Sequence, residues 1–355
     1  MYTQIVCPAT ERFPRNSEGD IAPLPDGRLL LAYTRFEGGA SDFDRASICG
    51  RYSGDEGRTW SEDAVLHPND AQINCMSASL VQLPEGDLLL FFLRKKSSSD
   101  LQVMVKRSSD MGQTWSDPLQ ITDGHGYYVM NNARVVRLST GRLLAPVARC
   151  DDIAGPPDGS GHEVASCYLS DDDGQTWQAP QNWVDLPKRG AMEPGVVELR
   201  EGSVLMILRT QLGRIHQARS SDGGLTWSLP QVTALVSPEA PATVARIPAN
   251  GDLLLVWNDN YDRGLDHGGI RCPLRSAISA DDGQKWHRYR TLERNPDKAY
   301  AYTSITFVGE EVLLTYYEQE RRGRWSLRFR AVPLAWFYEL EDICLRPAVY
   351  AAVAG

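Results

Sequence analysis

The chain is poor in the features that announce many protein classes. Its seven cysteines (Cys7, Cys49, Cys75, Cys150, Cys167, Cys272 and Cys344) are odd in number and scattered, with no C-x-x-C pair. That pattern fits buried free thiols better than a disulfide framework. The six histidines form no H-E-x-x-H or other ligand spacing, so no metal and no cofactor are expected. No apolar run approaches the length that spans a bilayer, and the opening MYTQIVCPATERFPRN has no basic start leading into an apolar stretch. A cytoplasmic protein with no membrane partner is the expectation. Positive charge is also in deficit: a formal net charge of −9 argues against nucleic acid, which wants a basic face. The one basic stretch, Arg321, Arg322, Arg324, Arg328 and Arg330, alternates with apolar residues and reads as a guarded outer strand. Helical periodicity is absent too, and no linker divides residues 1–355, so a single domain is expected.

What the chain has in abundance is internal repetition. The pattern S-x-D-x-G-x-x-W begins at Ser53, Ser108, Ser170, Ser220 and Ser279, and takes five of the nine tryptophans. Offset from it, a short Gly-containing turn leads into an apolar run at 25–33, 84–92, 140–147, 200–208, 249–257 and 308–316. Each run is preceded by another, as in SASLVQL (77–83) and PGVVEL (194–199), which makes a β-hairpin. A third run precedes each tryptophan motif and a fourth follows it. Units of four strands at this period point to an all-β, six-bladed β-propeller. The strand at Tyr2 to Cys7 is expected to complete the terminal blade and close the ring, and the Pro/Gly-rich 151–163 reads as a loop within one repeat. The motif has a structural reading: Asp and Ser satisfy a tight turn, Gly supplies a positive φ, and Trp packs beneath.

Strand alternation sorts residues by rim. The motif turns fall on one rim. The starts of the first strands and the loops after the second strands fall on the other. That second rim is crowded with carboxylates, arginines, amides and tyrosines, notably in RNSEGD (15–20), AMEP (191–194), SPEAP (237–241), AYAYT (299–303), TRFEGGASDFDR (34–45) and WNDNYDRGLDHGGIR (257–271). A site is expected where such loops converge on the axis.

These residues resemble the sialidase (neuraminidase) superfamily over essentially the whole chain. Glu193 in EPGVVEL, followed by Arg209 in ILRTQLG, resembles the family's catalytic glutamate and the second arginine of its carboxylate-binding triad. Arg271 resembles the third arginine, Tyr302 the nucleophilic tyrosine, Glu318 the glutamate that props the first arginine, and Asp42 the acid/base aspartate. Where the family has its first arginine this chain reads SEGDIAPLPDG, which puts Glu18 there, with Arg15 or Arg35 as substitutes in space. If Glu18 faces Glu318, two carboxylates meet where the family has an ion pair. The resemblance implies an exo-acting, retaining hydrolase releasing a terminal acidic sugar from a glycan.

A tyrosine nucleophile makes sense where the reacting carbon bears a carboxylate, because a neutral phenol is not repelled there. Arg209 and Arg271 would hold the acid by charge-assisted hydrogen bonds, and Asp42 would serve the leaving group and then water. Alternatives stand beside these: Asp44 for Asp42, Tyr300 for Tyr302 and Arg275 for Arg271. Asn131, Asn132 and Arg134 suit a structural ladder as well as sugar contact, and Asn258, Asp259 and Asn260 suit a hydroxyl-binding loop or a plain turn. A related propeller glycosidase or lyase, or a non-catalytic glycan-binding propeller, would use the same scaffold. The last predicts that Asp42, Glu193 and Tyr302 do not converge.

Overall fold

The computed structural model describes residues 1–150, 161–320 and 323–340. Most of the expected loop at 151–163, together with Arg321, Arg322 and Cys344, lies outside the described residues. Among the described residues the regular structure is strand, apart from two short 3₁₀ turns at Asp266–Gly268 and Leu334–Tyr338.

The strands follow one another as antiparallel meanders. Arg15–Pro23, Leu29–Phe36, Ala46–Ser53 and Ala64–His67 pair in that order. The arrangement recurs in Asn74–Gln82, Leu88–Lys95, Leu101–Ser108 and Leu119–Gln120. It recurs in Met192–Glu198 through Gln231–Val236, and again in Thr243–Arg246 through His287–Glu293. Between these, Leu143–Cys150 pairs with Val136–Arg137 on one side and Glu163–Ser170 on the other. After them, Lys298–Val308, Glu311–Glu320 and Trp325–Pro333 form a meander whose outer strand comes from the other end of the chain. Tyr2–Cys7 lies antiparallel on Trp325–Pro333, with Tyr2 opposite Ala331.

The second strand of each meander explains its continuous apolar run. Leu29–Phe36 and Leu88–Lys95 are buried at nearly every position because sheets cover both of their faces. The apolar clusters sit between consecutive sheets. One joins Leu30 and Ala32 to Leu88, Leu90 and Phe92. The next joins Phe91 and Leu93 to Leu143 and Val147, and so on around to Leu313, Leu327 and Phe329 packed against Leu29, Leu31 and Tyr33. The last sheet therefore meets the first, and the ring is a β-propeller.

The tryptophan motifs are the expected turns. In the first, Ser53 Oγ donates to Asp55 and accepts from the Gly57 N–H (2.8 Å), and Asp55 also accepts from the Thr59 N–H and hydroxyl. The motif glycines all have φ between 82° and 90°. A Cβ on Gly57 would lie 2.3 Å from Phe329, and one on Gly112 would lie 2.9 Å from Leu30. Each motif turn thus abuts the sheet before it, and the first abuts the last.

Candidate active site

The opposite rim is built from a repeated irregularity. Pairing of the innermost strand with its neighbour slips between Ser17 and Asp20, Met76 and Ser79, Met192 and Gly195, and Ala301 and Ser304. Within these bulges Glu18 (φ 55°), Ser77 (61°), Glu193 (42°) and Tyr302 (58°) all take left-handed backbone, as does Ala133 (53°) at the equivalent place. Such conformations cost about 1–3 kcal/mol each for residues other than glycine and gather where side chains are re-aimed. Buried polar groups hold them. The Asn132 amide donates to the carbonyls of Gly19 (2.7 Å) and Tyr302 (3.0 Å), so one side chain clamps two bulges. Arg134, wholly buried, donates to Thr243 Oγ1 and the Ala242 carbonyl across the ring. Asn132 and Arg134, expected as sugar contacts or a ladder, direct these donors to the framework.

The bulges bring the sequence-predicted residues together in two linked groups. In the first, the Tyr302 hydroxyl donates to Glu193 Oε1 (3.0 Å), and Arg209 Nη1 donates to Glu193 Oε2 (2.6 Å). Burial alone would raise the Glu193 pKa, but Arg209 and Arg271 hold it below the usual carboxylate range. Burial and the Glu193 charge push the Tyr302 phenol well up. The pair is therefore a neutral phenol on an ionised carboxylate. Arg209 Nη2 reaches a second carboxylate, Glu239 (3.1 Å), which Arg189 also grips. The Arg271 guanidinium lies 5.5 Å from the centre of the Tyr302 ring and donates to the Tyr317 hydroxyl (2.8 Å).

The second group surrounds Arg15. Its guanidinium lies over the rings of Phe36 (4.2 Å) and Trp325 (4.3 Å). It donates to Glu18 Oε1 (2.7 Å) and Asp42 Oδ1 (2.6 Å). Burial pushes the Glu18 carboxyl up, against the pull of Arg15. For Asp42 the balance is opposite: against desolvation, Arg15 and Lys95 hold it down, and Arg271 adds to them. The Glu18 charge adds a smaller upward push on the Tyr302 phenol. The Asp42 side chain is 58% exposed, open to whatever enters. Its main-chain carbonyl is pinned by Asn74 and Lys95.

The alternatives separate by geometry. Asp44 caps its own loop at the Ser41 N–H. Tyr300 is buried in the core against Tyr316. Arg275 pairs with Asp259 (2.7 Å), drawing that aspartate to the sheet. Asn258 donates to the Tyr300 carbonyl. Arg35 pairs with Asp63, so Arg15 is the guanidinium beside Glu18. Glu318 is held by Lys298 and by Arg328 Nε (3.0 Å), and Glu18 by Arg15, so each of these two carboxylates has its own cation. Three carboxylate and lysine contributors were not singled out from sequence: Glu239, Glu163 and Lys95. Glu239 lies in SPEAP, the counterpart of AMEP that carries Glu193. Glu163 is buried with its carboxyl pushed up to about 7 by desolvation and the Glu193 charge.

Away from this rim, His67, Asp70 and Cys75 bring ligand-type atoms within 4.8 Å of one another. Lys106 lies 3.4 Å from His67 Nδ1 and Arg94 lies 3.2 Å from Asp70, so local cations and hydrogen bonds account for the cluster.

Antiparallel sheets closed into a ring, with aspartate turns on one rim and a phenol–carboxylate–guanidinium constellation on the other, define the class as a β-propeller with a polar site on one rim. Residues 27–313 match the model of the BNR repeat-like domain, and the chain belongs to that family, within the sialidase superfamily. A sialidase of Micromonospora viridifaciens is 26% identical, covering 98% of this chain and 57% of its own length. One of Bacteroides fragilis (strain YCH46) is 24% identical, covering 66% and 42%. The chain thus spans about half the length of these curated relatives. Among solved structures, Trypanosoma rangeli sialidase in complex with 2,3-difluorosialic acid superposes with a TM-score of 0.75 at 15% identity, over 95% of this chain and 59% of that one. The NanB sialidase of Streptococcus pneumoniae gives 0.72 at 14%, over 94% and 70%. A protein of unknown function from Dyadobacter fermentans DSM 18053 gives 0.75 at 20%, over 93% and 99%. These structural likenesses carry the fold.

Proposed function

We propose that the chain is a six-bladed propeller and an exo-acting, retaining glycoside hydrolase of sialidase type, releasing a terminal acidic sugar from a glycan. The observation that carries this reading is the 3.0 Å hydrogen bond from Tyr302 to a Glu193 carboxylate that Arg209 keeps ionised. A nucleophile and its base stand in contact, with the base oriented by a third group. Tyr302 oxygen attacks the anomeric carbon while its proton passes to Glu193, and the bond to the leaving oxygen breaks. Asp42 gives that oxygen a proton. In the free site Asp42 is ionised by Arg15, so it takes up its proton as the substrate separates the two. Asp42 then removes a proton from water, which attacks the same carbon; the Tyr302 oxygen departs and recovers its proton from Glu193. Two inversions give retention.

The test is release of aryl leaving groups from sialic, deaminated sialic, uronic and neutral glycosides, with Tyr302→Phe as control. Turnover of an acidic member, lost in Tyr302→Phe, supports the reading. Failure of the whole panel, or a fully active Tyr302→Phe, overturns it.

A further inference from the structure

The three guanidiniums of the site are unequally committed. A guanidinium has five N–H donors in a fixed fork. Arg15 has four engaged within the protein: Nε on Ser17 Oγ (3.0 Å), Nη1 on the Ala40 carbonyl (3.1 Å) and Asp42, and Nη2 on Glu18. Its charge is met by two carboxylates. Arg209 likewise is met by two, Glu193 and Glu239. Arg271 differs: among the described residues its hydrogen-bond partner is the Tyr317 hydroxyl, and no carboxylate pairs with it. Phe36 and Trp325 both lie against the Arg15 guanidinium, and its four engaged donors leave it little freedom to turn from Glu18.

Glu18 itself sits where a carboxylate is costly. It is 1% exposed, on left-handed backbone, with Oε2 buried and without a hydrogen-bond partner. Burying a carboxylate oxygen unsatisfied and straining the backbone both oppose folding. A residue that breaks local rules twice, in the bulge equivalent to those of Glu193 and Tyr302, belongs with function rather than packing.

We propose that Glu18 is a specificity determinant that withdraws Arg15 from anion binding, so that Arg271 is the principal cation meeting the substrate's acidic group. The substrate class is then a terminal sugar acid whose carboxylate is met at Arg271. This rests on the reading of the site as a sugar-acid hydrolase, but the two fail separately, because the test below needs no turnover.

Affinities of N-acetylneuraminic acid and glucuronic acid are compared with those of their methyl esters by NMR titration. In the parent, one charge-assisted contact gives the acid an advantage of about 10-fold over its ester. Glu18→Gln frees the Arg15 fork, and the gap is expected to widen by about a further 10-fold through tighter acid binding, with the ester unchanged. Glu18→Gln combined with Arg15→Met should return the gap to its parental size. Arg271→Met in the parent should shrink the gap to below about two-fold. Glu18→Ala repeats the first arm should the glutamine variant fold poorly. If no acid gains over its ester on replacing Glu18, or if Arg271→Met leaves the parental gap intact, the proposal is overturned.

Discussion

At one end of the ring the chain repeats residues; at the other it repeats a backbone shape and varies the residues. The motif turns carry Ser, Asp and Gly in the same places, and their hydrogen bonds recur almost atom for atom, as in Ser53–Asp55–Gly57 and Ser108–Asp110–Gly112. The innermost bulges recur just as regularly, yet present Glu18, Ser77, Ala133, Glu193 and Tyr302 in turn. Left-handed backbone occurs at both ends. In the motif turns it falls on the glycine and, in four of them, also on the residue before it (Glu56, Met111, Asp173 and Asp282), whereas in the bulges it falls on a single non-glycine residue whose side chain is turned toward the rim. Identity of side chain marks what every blade needs for stability. Identity of backbone with diverse side chains marks a frame on which different groups are aimed at one point.

That contrast is breakable. The largest effect is expected at the bulges: Tyr302→Phe should lower kcat about 10³-fold with the melting temperature unchanged, while Tyr300→Phe, in the core, should leave kcat within a few-fold. A comparable loss in both would show that the two tyrosines do not differ as their surroundings say. Next, Asn132→Ala removes the amide joining the bulges of Glu18 and Tyr302. A fall in kcat of about 10- to 100-fold, with KM moving less, is expected together with about 1–3 kcal/mol of destabilisation, since two buried carbonyls lose their donor. Steady-state kinetics and denaturant melts read both; destabilisation with unchanged kcat would make Asn132 purely structural.

At the motif end the signs reverse. Gly57→Ala should cost about 3 kcal/mol, through positive φ and collision with Phe329, and leave kcat of the folded protein unaltered. The smallest effect is one of pH. Turn hydrogen bonds, chiefly from Thr59 and Thr114, hold Asp55 and Asp110 at about 2, from an ordinary 3.8. Carboxyls lowered on folding stabilise above their unfolded pKa and lose that contribution as pH falls toward the folded one. Stability should therefore decline between about pH 4 and pH 2, and Asp55→Asn should flatten the decline slightly. An acid-melting curve unaltered by Asp55→Asn would remove this aspartate from the account.

The Ser, Asp and Gly of the motif turns were legible in sequence, because such turns demand particular residues within a span of eight; the left-handed residue before the glycine, as at Glu56 and Met111, was not. The hairpins were legible too, as was the sorting of rims. Legibility at the other end was uneven. Glu193, Arg209, Tyr302, Arg271 and Asp42 stood out by resemblance and spacing. The bulges that aim them left no residue-type signal, since Glu, Ser, Ala and Tyr do not advertise left-handed backbone. The choice between Arg15 and Arg35 beside Glu18 depended on which side of the strand each faces after the slip at Ser17 and Asp20. Arg189 and Glu239 meet from different sheets, a contact no local pattern encodes.

The strand Tyr2–Cys7, laid on Trp325–Pro333, makes the propeller's seam a contact between residues nearly a whole chain length apart. Synthesis delivers the two partners at opposite ends of its timetable, so the first strand must wait unpaired until the last sheet emerges. Ring closure of this kind carries the full loop-entropy barrier, which places it late and makes it the slow event of assembly. Until then a second molecule's free strand can occupy the same edge, so crowding during refolding should favour exchanged dimers over closed monomers.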